Sequence, residues 1–376
     1  MTVLKRTFST MLLAAVACAA AVASGAQQPD TSRPVVPTSQ FERWLTELSN
    51  WGRWGPDDEL GAFNLVTPAR RAAAAALVTE GFTVSLASDA QTRESLDNPC
   101  PIEWSMVRAS RSSASDTVAY PCIHGPGTTH LDAFAHIFFD GKMWNGYDVA
   151  NVVTMEDGAT KNSILNMKDG IVTRGVLYDI PRLKGVPYLE PGTRIYVEDL
   201  EAWEEMAGVR VGPGDAFLVR WGRWARQDDI GPFDTGREAA GLDNAVIPWL
   251  RERDVALAGW ETPGYMPQPD GDLPRLALHN FALTMLGIHL LDRADFQALS
   301  EADRLLPALV RAVAGYQFEL LGESAQQLAL LGLVPQGQGA VSQEDHASRV
   351  HARAGGISVD EGGQHAECIS VASYLQ

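Results

Sequence analysis

The chain runs to 376 residues, enough for two domains or one large one at about 150 residues per domain. With 45% hydrophobic and 20% charged residues it can bury a substantial core, which excludes wholesale disorder. Acidic residues outnumber basic ones 47 to 30, and the net charge of -17 repels phosphate backbones and anionic lipid, which sets nucleic-acid and membrane-surface binding aside.

At the N-terminus, Lys5 and Arg6 precede an apolar run from Met11 to Ala23, followed by Ser24, Gly25 and Ala26. A basic start, a short apolar stretch and small residues at its end read as a secretory signal peptide over residues 1–26. The run is too short to span a bilayer comfortably. The expectation is an exported, periplasmic protein with no membrane insertion once the signal is removed. Lipid anchoring at Cys18 is the lesser reading, because Ala-Val-Ala before it lacks the usual leucine. Cys100, Cys122 and Cys368 then remain, and an oxidising compartment permits one bridge, Cys100 to Cys122 being one pairing. Without a Cys-x-x-Cys, a thiolate zinc site is not expected.

Residues 27–39 hold Pro29, Pro34 and Pro37 among polar residues, which suits a flexible leader. Phe41, Leu45 and Leu48 have helical spacing, and residues 51–64 are dense in turn formers and aromatics. Thr67-Pro68 opens an alanine-rich helix predicted to reach Glu80, with proline at its favoured first position. Strand-like runs follow at Phe82 to Ala87, Gly170 to Asp179, Arg194 to Tyr196 and Ala216 to Trp221. A predicted helix from Asn244 to Arg253 leads into a strand-like run from Val255 to Trp260. Residues 298–321 read as two more helical stretches, residues 334–356 as a long loop, and Ile369 to Tyr374 as a last apolar alternation. There is no fixed repeat, no heptad and no later transmembrane segment. Together these predict one α/β domain over residues 40–376 with a short N-terminal extension.

The densest group of potential ligands is His124-Gly-Pro-Gly-Thr-Thr-His130-Leu-Asp132-Ala-Phe-Ala-His136. In an extended segment side chains alternate, so His130 and Asp132 project from one face, and His136 has the same parity. Neutral imidazole and carboxylate converging from a rigid backbone is what a metal needs. The residues alone leave two readings open, a metal site or a surface turn whose polar groups bond backbone.

This segment resembles the signature of the cyclase family of metal-dependent hydrolases, which includes bacterial kynurenine formamidases and isatin hydrolases. That signature runs His-x-Gly-Thr-His-x-Asp-x-Pro-x-His. Trp54-Gly-Pro-Asp-Asp-Glu-Leu-Gly-Ala-Phe-Asn64, Pro213-Gly-Asp215-Ala-Phe-Leu-Val-Arg220 and Gly241 to Pro263 are similar to further blocks of the family's longer branch, in the same order. The resemblance covers about residues 41–297 and implies a swivelling β/β/α fold and a homodimer or homotetramer. It assigns metal binding to His130 and Asp132, a catalytic acid or base to His136, and the later ligands to His279 and Asp292. Three departures stand out. The first histidine falls on Pro126, so His124 substitutes only if the Gly-Pro-Gly turn loops back. The signature's proline is Phe134. Asp292 replaces glutamate and shortens the arm by about 1.5 Å.

The resemblance further implies one or two divalent cations per chain, and a His and carboxylate set without thiolate suits Zn2+ or Mn2+. The expected reaction is hydrolysis of a small-molecule C–N amide bond, linear or cyclic. The competing reading is an exported ligand-binding protein on the same scaffold with catalysis altered. His289 reads as a packed or ligand-supporting histidine, while His346, His351 and His365 read as solvated. Glu261 is a site or helix-capping residue, and Trp51, Trp54, Trp104 and Phe138 line an aromatic pocket or belong to the core. Gly212-Pro-Gly214 lacks the helix and lysine of a phosphate loop.

Overall fold

A computed structural model describes residues 35–79, 81–262, 273, 276–305, 311–315 and 368–371. Its main sheet has eight strands in the order Thr83–Ser85, Cys368–Val371, Arg311–Gly315, Ile171–Asp179, Ala216–Arg220, Leu257–Trp260, His289–Asp292 and His130–Asp132. The four strands from Ile171–Asp179 to His289–Asp292 run parallel, and His130–Asp132 closes that edge antiparallel. Central strands are buried on both faces, which explains their apolar runs: every residue of Ala216–Arg220 and Leu257–Trp260 is buried, and the one charge among them, Arg220, pairs with Asp179. Alternation still sorts them, with Phe217 and Val219 in one core layer and Ala216 and Leu218 in the other. The α/β expectation holds.

The helix Thr38–Glu47 packs Phe41 into the first layer, edge-on to Phe281 with ring centroids 5.5 Å apart. Pro68–Ala75 starts as expected, with the Thr67 side chain accepting from the Arg70 amide, but ends before Glu80 in a turn. Gly61 and Gly287 meet back to back, where the Ala62 amide donates to the Gly287 carbonyl at 2.6 Å. A side chain at either would strike the other's backbone, so this contact locks the N-terminal block onto the turn leading into His289–Asp292.

Two predicted elements change, and one element appears that the sequence did not predict. The stretch read as helical over 298–321 divides into the helix Gln297–Leu305 and the strand Arg311–Gly315. A five-residue stretch carries no decisive period, and pairing on both sides draws this one into the sheet. Asn244 to Arg253 is a 3-10 turn, Asn244–Val246, followed by the helix Ile247–Arg253 with Pro248 in its first turn. The hairpin Glu103–Ala109 with Ala114–Ala119 was not expected at all, because both faces of its first strand are exposed and leave no apolar alternation. Cys100 and Cys122 form a disulfide. The signal peptide, the 334–356 loop, His346, His351 and His365 lie outside the described residues. Among the described residues no helix is long and apolar enough to cross a membrane.

Candidate metal centre

The strand His130–Asp132 places His130 and Asp132 on one face, as alternation requires, and both are buried. In register, His130 faces Asp292 across the antiparallel pair, and Asp132 faces Leu290. His279 comes from the short helix Ala277–Phe281, which passes through a π-helical turn, Ala282–Leu286, before Gly287 redirects the chain into His289–Asp292. The two halves of the cluster therefore meet at the sheet edge.

Asp132 is the hub. Its Oδ1 lies 2.9 Å from His124 Nδ1, 3.4 Å from His130 Nε2 and 3.9 Å from His136 Nε2. Its Oδ2 is 3.1 Å from His279 Nε2, without the alignment of a hydrogen bond. His279 Nε2 in turn lies 3.3 Å from Asp292 Oδ2. Two triads result, His124–His130–Asp132 and Asp132–His279–Asp292, each with ligand atoms within 4.8 Å of one another. All five residues that the sequence singles out as ligands thus converge. The turn before His130 does loop back to bring in His124, and the shorter Asp292 arm still reaches His279.

Charge and tautomer argue that this cluster fits a cation. Burial alone would raise the Asp132 pKa, but the surrounding imidazoles outweigh it and hold the carboxyl well below its ordinary value. Burial opposes charge on His279, yet Asp292 and Asp132 prevail and raise it to about 10; His130 is raised likewise, against burial, by Asp132 and Asp292. His130 Nδ1 lies 2.8 Å from the Thr128 carbonyl, which can only accept, so Nδ1 carries the proton. Its Nε2 then presents a lone pair to a carboxylate, an arrangement that needs a proton or a metal ion between the two. The donor set of imidazoles and carboxylates without thiolate suits a divalent ion.

His136 belongs to neither triad. It follows the strand in a turn, with its amide donating to the Ala133 carbonyl at 3.0 Å, and its ring stacks on His124 with centroids 3.7 Å apart. Its side chain is 26% exposed, so it reaches both the cluster and solvent. Burial, reinforced by the neighbouring imidazoles against Asp132, lowers its pKa to about 4 and keeps the ring neutral at neutral pH.

The supporting residues are mostly ones that sequence reasoning passed over. Trp260 Nε1 donates to Asp292 Oδ1, which leaves Oδ2 for the cluster. Its isolated position at a strand end gave no signal of this. His289 is buried, with Nδ1 3.0 Å from the Asp132 carbonyl, so it steadies the hub as the ligand-supporting reading held. Phe134, in the place of the signature proline, stacks on His289 at 3.9 Å and is fully buried. Glu261 resolves to a cap: its Oε2 accepts from the Trp221, Gly222 and Arg223 amides at the start of the helix Arg223–Ile230. Trp54 packs on Trp144, whereas Trp51, Trp104 and Phe138 are each more than a third exposed.

Burial lowers the His289 pKa from 6.5 to about 4. The unfolded chain therefore takes up a proton that the folded chain refuses, and stability present above pH 6.5 is lost as pH falls towards 4. At 1.36 kcal/mol per unit the loss is on the order of 3 kcal/mol. His289→Gln retains an amide donor for the Asp132 carbonyl and removes this titration. Urea unfolding at pH 7 and pH 4.5 is expected to show a shallower pH dependence for the variant; identical slopes would refute a neutral buried His289.

Residues 54–265 match the Cyclase family model, a span that holds His124, His130, Asp132 and His136 and stops short of His279 and Asp292. A crystal structure described as a novel cyclase is similar at 28% identity and a TM-score of 0.60, covering 69% of this chain and 90% of that one. Isatin hydrolase A from Ralstonia solanacearum is similar at 17% identity and a TM-score of 0.38, covering 60% of this chain and 81% of its own. None of the curated proteins matches the chain.

Proposed function

This chain belongs to the cyclase family, and on that premise we propose that it is a metal-dependent hydrolase cleaving a C–N amide bond of a small linear or cyclic amide. The observation that carries the reading is the buried Asp132 carboxylate shared by two His/Asp triads. His124, His130 and Asp132 would hold one divalent ion, and Asp132, His279 and Asp292 a second. Such an ion, zinc or manganese, acidifies a bound water and polarises a carbonyl.

The rest of the work falls to the chain's own groups. Trp260 fixes Asp292, the Thr128 carbonyl fixes the His130 tautomer, and His289 fixes the Asp132 backbone. His136, neutral at working pH and outside both triads, is the proton carrier. It accepts the proton of the attacking water and returns it to the leaving nitrogen. Export is part of the same proposal, supported by the basic, apolar and small-residue N-terminus and by the Cys100–Cys122 bridge. Association into two or four copies is also proposed.

The test is metal content on full-length protein purified without chelator or polyhistidine tag, followed by a screen of formanilides, isatin-type lactams and cyclic imides. One or two equivalents of zinc or manganese, with turnover abolished by a chelator and restored by metal, is the expected result. Protein that holds no metal and takes none up on reconstitution would sink the proposal.

A further inference from the structure

We propose that the Cys100–Cys122 disulfide is a positioning element for His124, clamping the feet of the exposed hairpin so that the ligand-bearing turn is held in place. The inference rests on the metal-site reading above. Four of the five ligand candidates grow from regular elements: His130 and Asp132 from one strand, Asp292 from its neighbour and His279 from a helix, with side chains no more than 4% exposed. His124 differs. It lies on the irregular stretch between the strands Ala114–Ala119 and His130–Asp132, and its side chain is 41% exposed. The contacts of its ring, with Asp132, His130 and His136, fix the ring and leave its backbone to other restraints.

Those restraints converge on Cys122. Its carbonyl accepts from the Gly125 amide at 2.8 Å, closing a turn around His124, and its sulfur is bonded to Cys100. Cys100 precedes the hairpin and Cys122 follows it, so the bond joins the hairpin's two feet. Every residue of Glu103–Ala109 is exposed, and a two-stranded hairpin standing alone is marginally stable in water. On the other side of the bond, Asp97 pairs with Arg223 at 3.0 Å in the interior. Asn98 bonds the Gln91 and Arg93 carbonyls and packs so closely on Gly127 that a side chain there would collide with it. A continuous tie thus runs from the helix Arg223–Ile230 through Asp97, Cys100 and Cys122 to His124. A ligand on an otherwise loose turn binds weakly unless its position is set beforehand, and this tie supplies that order.

The experiment titrates full-length protein with Zn2+ and with Mn2+ by calorimetry, comparing wild type, C100S/C122S, H124A and the triple variant, with thermal melts alongside. The equivalent that H124A removes is expected to be the one that C100S/C122S weakens, by about 10- to 100-fold, with any other equivalent unchanged. The triple variant should bind no worse than H124A, because a positioning bond has nothing left to position. Unchanged binding in C100S/C122S, no effect of H124A, or losses that add in the triple variant would each overturn the proposal. So would a uniform loss of all equivalents that follows a lowered melting temperature. Wild-type protein that binds neither ion would instead overturn the metal-site reading on which this rests.

Discussion

Asp132→Asn is expected to release every metal equivalent the protein holds while leaving the fold intact. The amide matches the carboxylate in shape, but it cannot neutralise a cation, and Asp132 is the one residue common to both triads. Changes to groups that only support a metal ligand cost about 10- to 100-fold in affinity. Loss of the shared charged ligand should therefore exceed a hundredfold at both positions, with hydrolysis falling in step. Asp292→Asn is the contrast, because it touches one triad alone and should release one equivalent. Metal analysis after dialysis, with circular dichroism as the fold control, decides the matter. One equivalent still held at wild-type affinity by Asp132→Asn would mean that Asp132 serves a single position.

His136→Ala is expected to behave in the opposite way, keeping its metal and losing its rate. The ring belongs to neither triad and its nearest carboxylate oxygen is 3.9 Å away, so the ligand sets survive its removal. A positioned proton carrier contributes about 10²- to 10⁴-fold, and kcat should fall by that factor with KM little changed. The stacked His124 loses its partner ring and is the one ligand to watch. Metal lost from His136→Ala would make His136 a ligand and return the proton-carrying role to some other group.

What could be read from the sequence follows the range of the forces involved. His130 and Asp132 were legible because two-residue alternation on a strand is a local rule, and the strand Ala216–Arg220 because its doubly covered residues 216–219 form an unbroken apolar run. His124 was readable as a candidate, yet whether its turn came back to Asp132 depended on Cys100 and Asn98, residues of a separate loop. His279 and Asp292 came only through resemblance, since nothing in the apolar stretch Ala277–Phe281 marks its histidine as a ligand. The antiparallel pairing of His130–Asp132 with His289–Asp292 joins segments far apart in the chain, and no period records it. The exposed hairpin and the strand Arg311–Gly315 escaped for the same kind of reason: the first has no buried face, and the second is too short to show a period.

Because the three-residue edge strand His130–Asp132 docks against the distant strand His289–Asp292, a half-folded molecule lacks the triad Asp132–His279–Asp292. Contacts of such high sequence separation are among the last to form, after the entropy of closing the intervening loop has been met. An ion captured there arrives once the sheet is complete, so it does nothing to speed assembly. Its influence falls on the reverse step, where the edge strand must peel away before the chain can open, and what it adds is lifetime in the finished state.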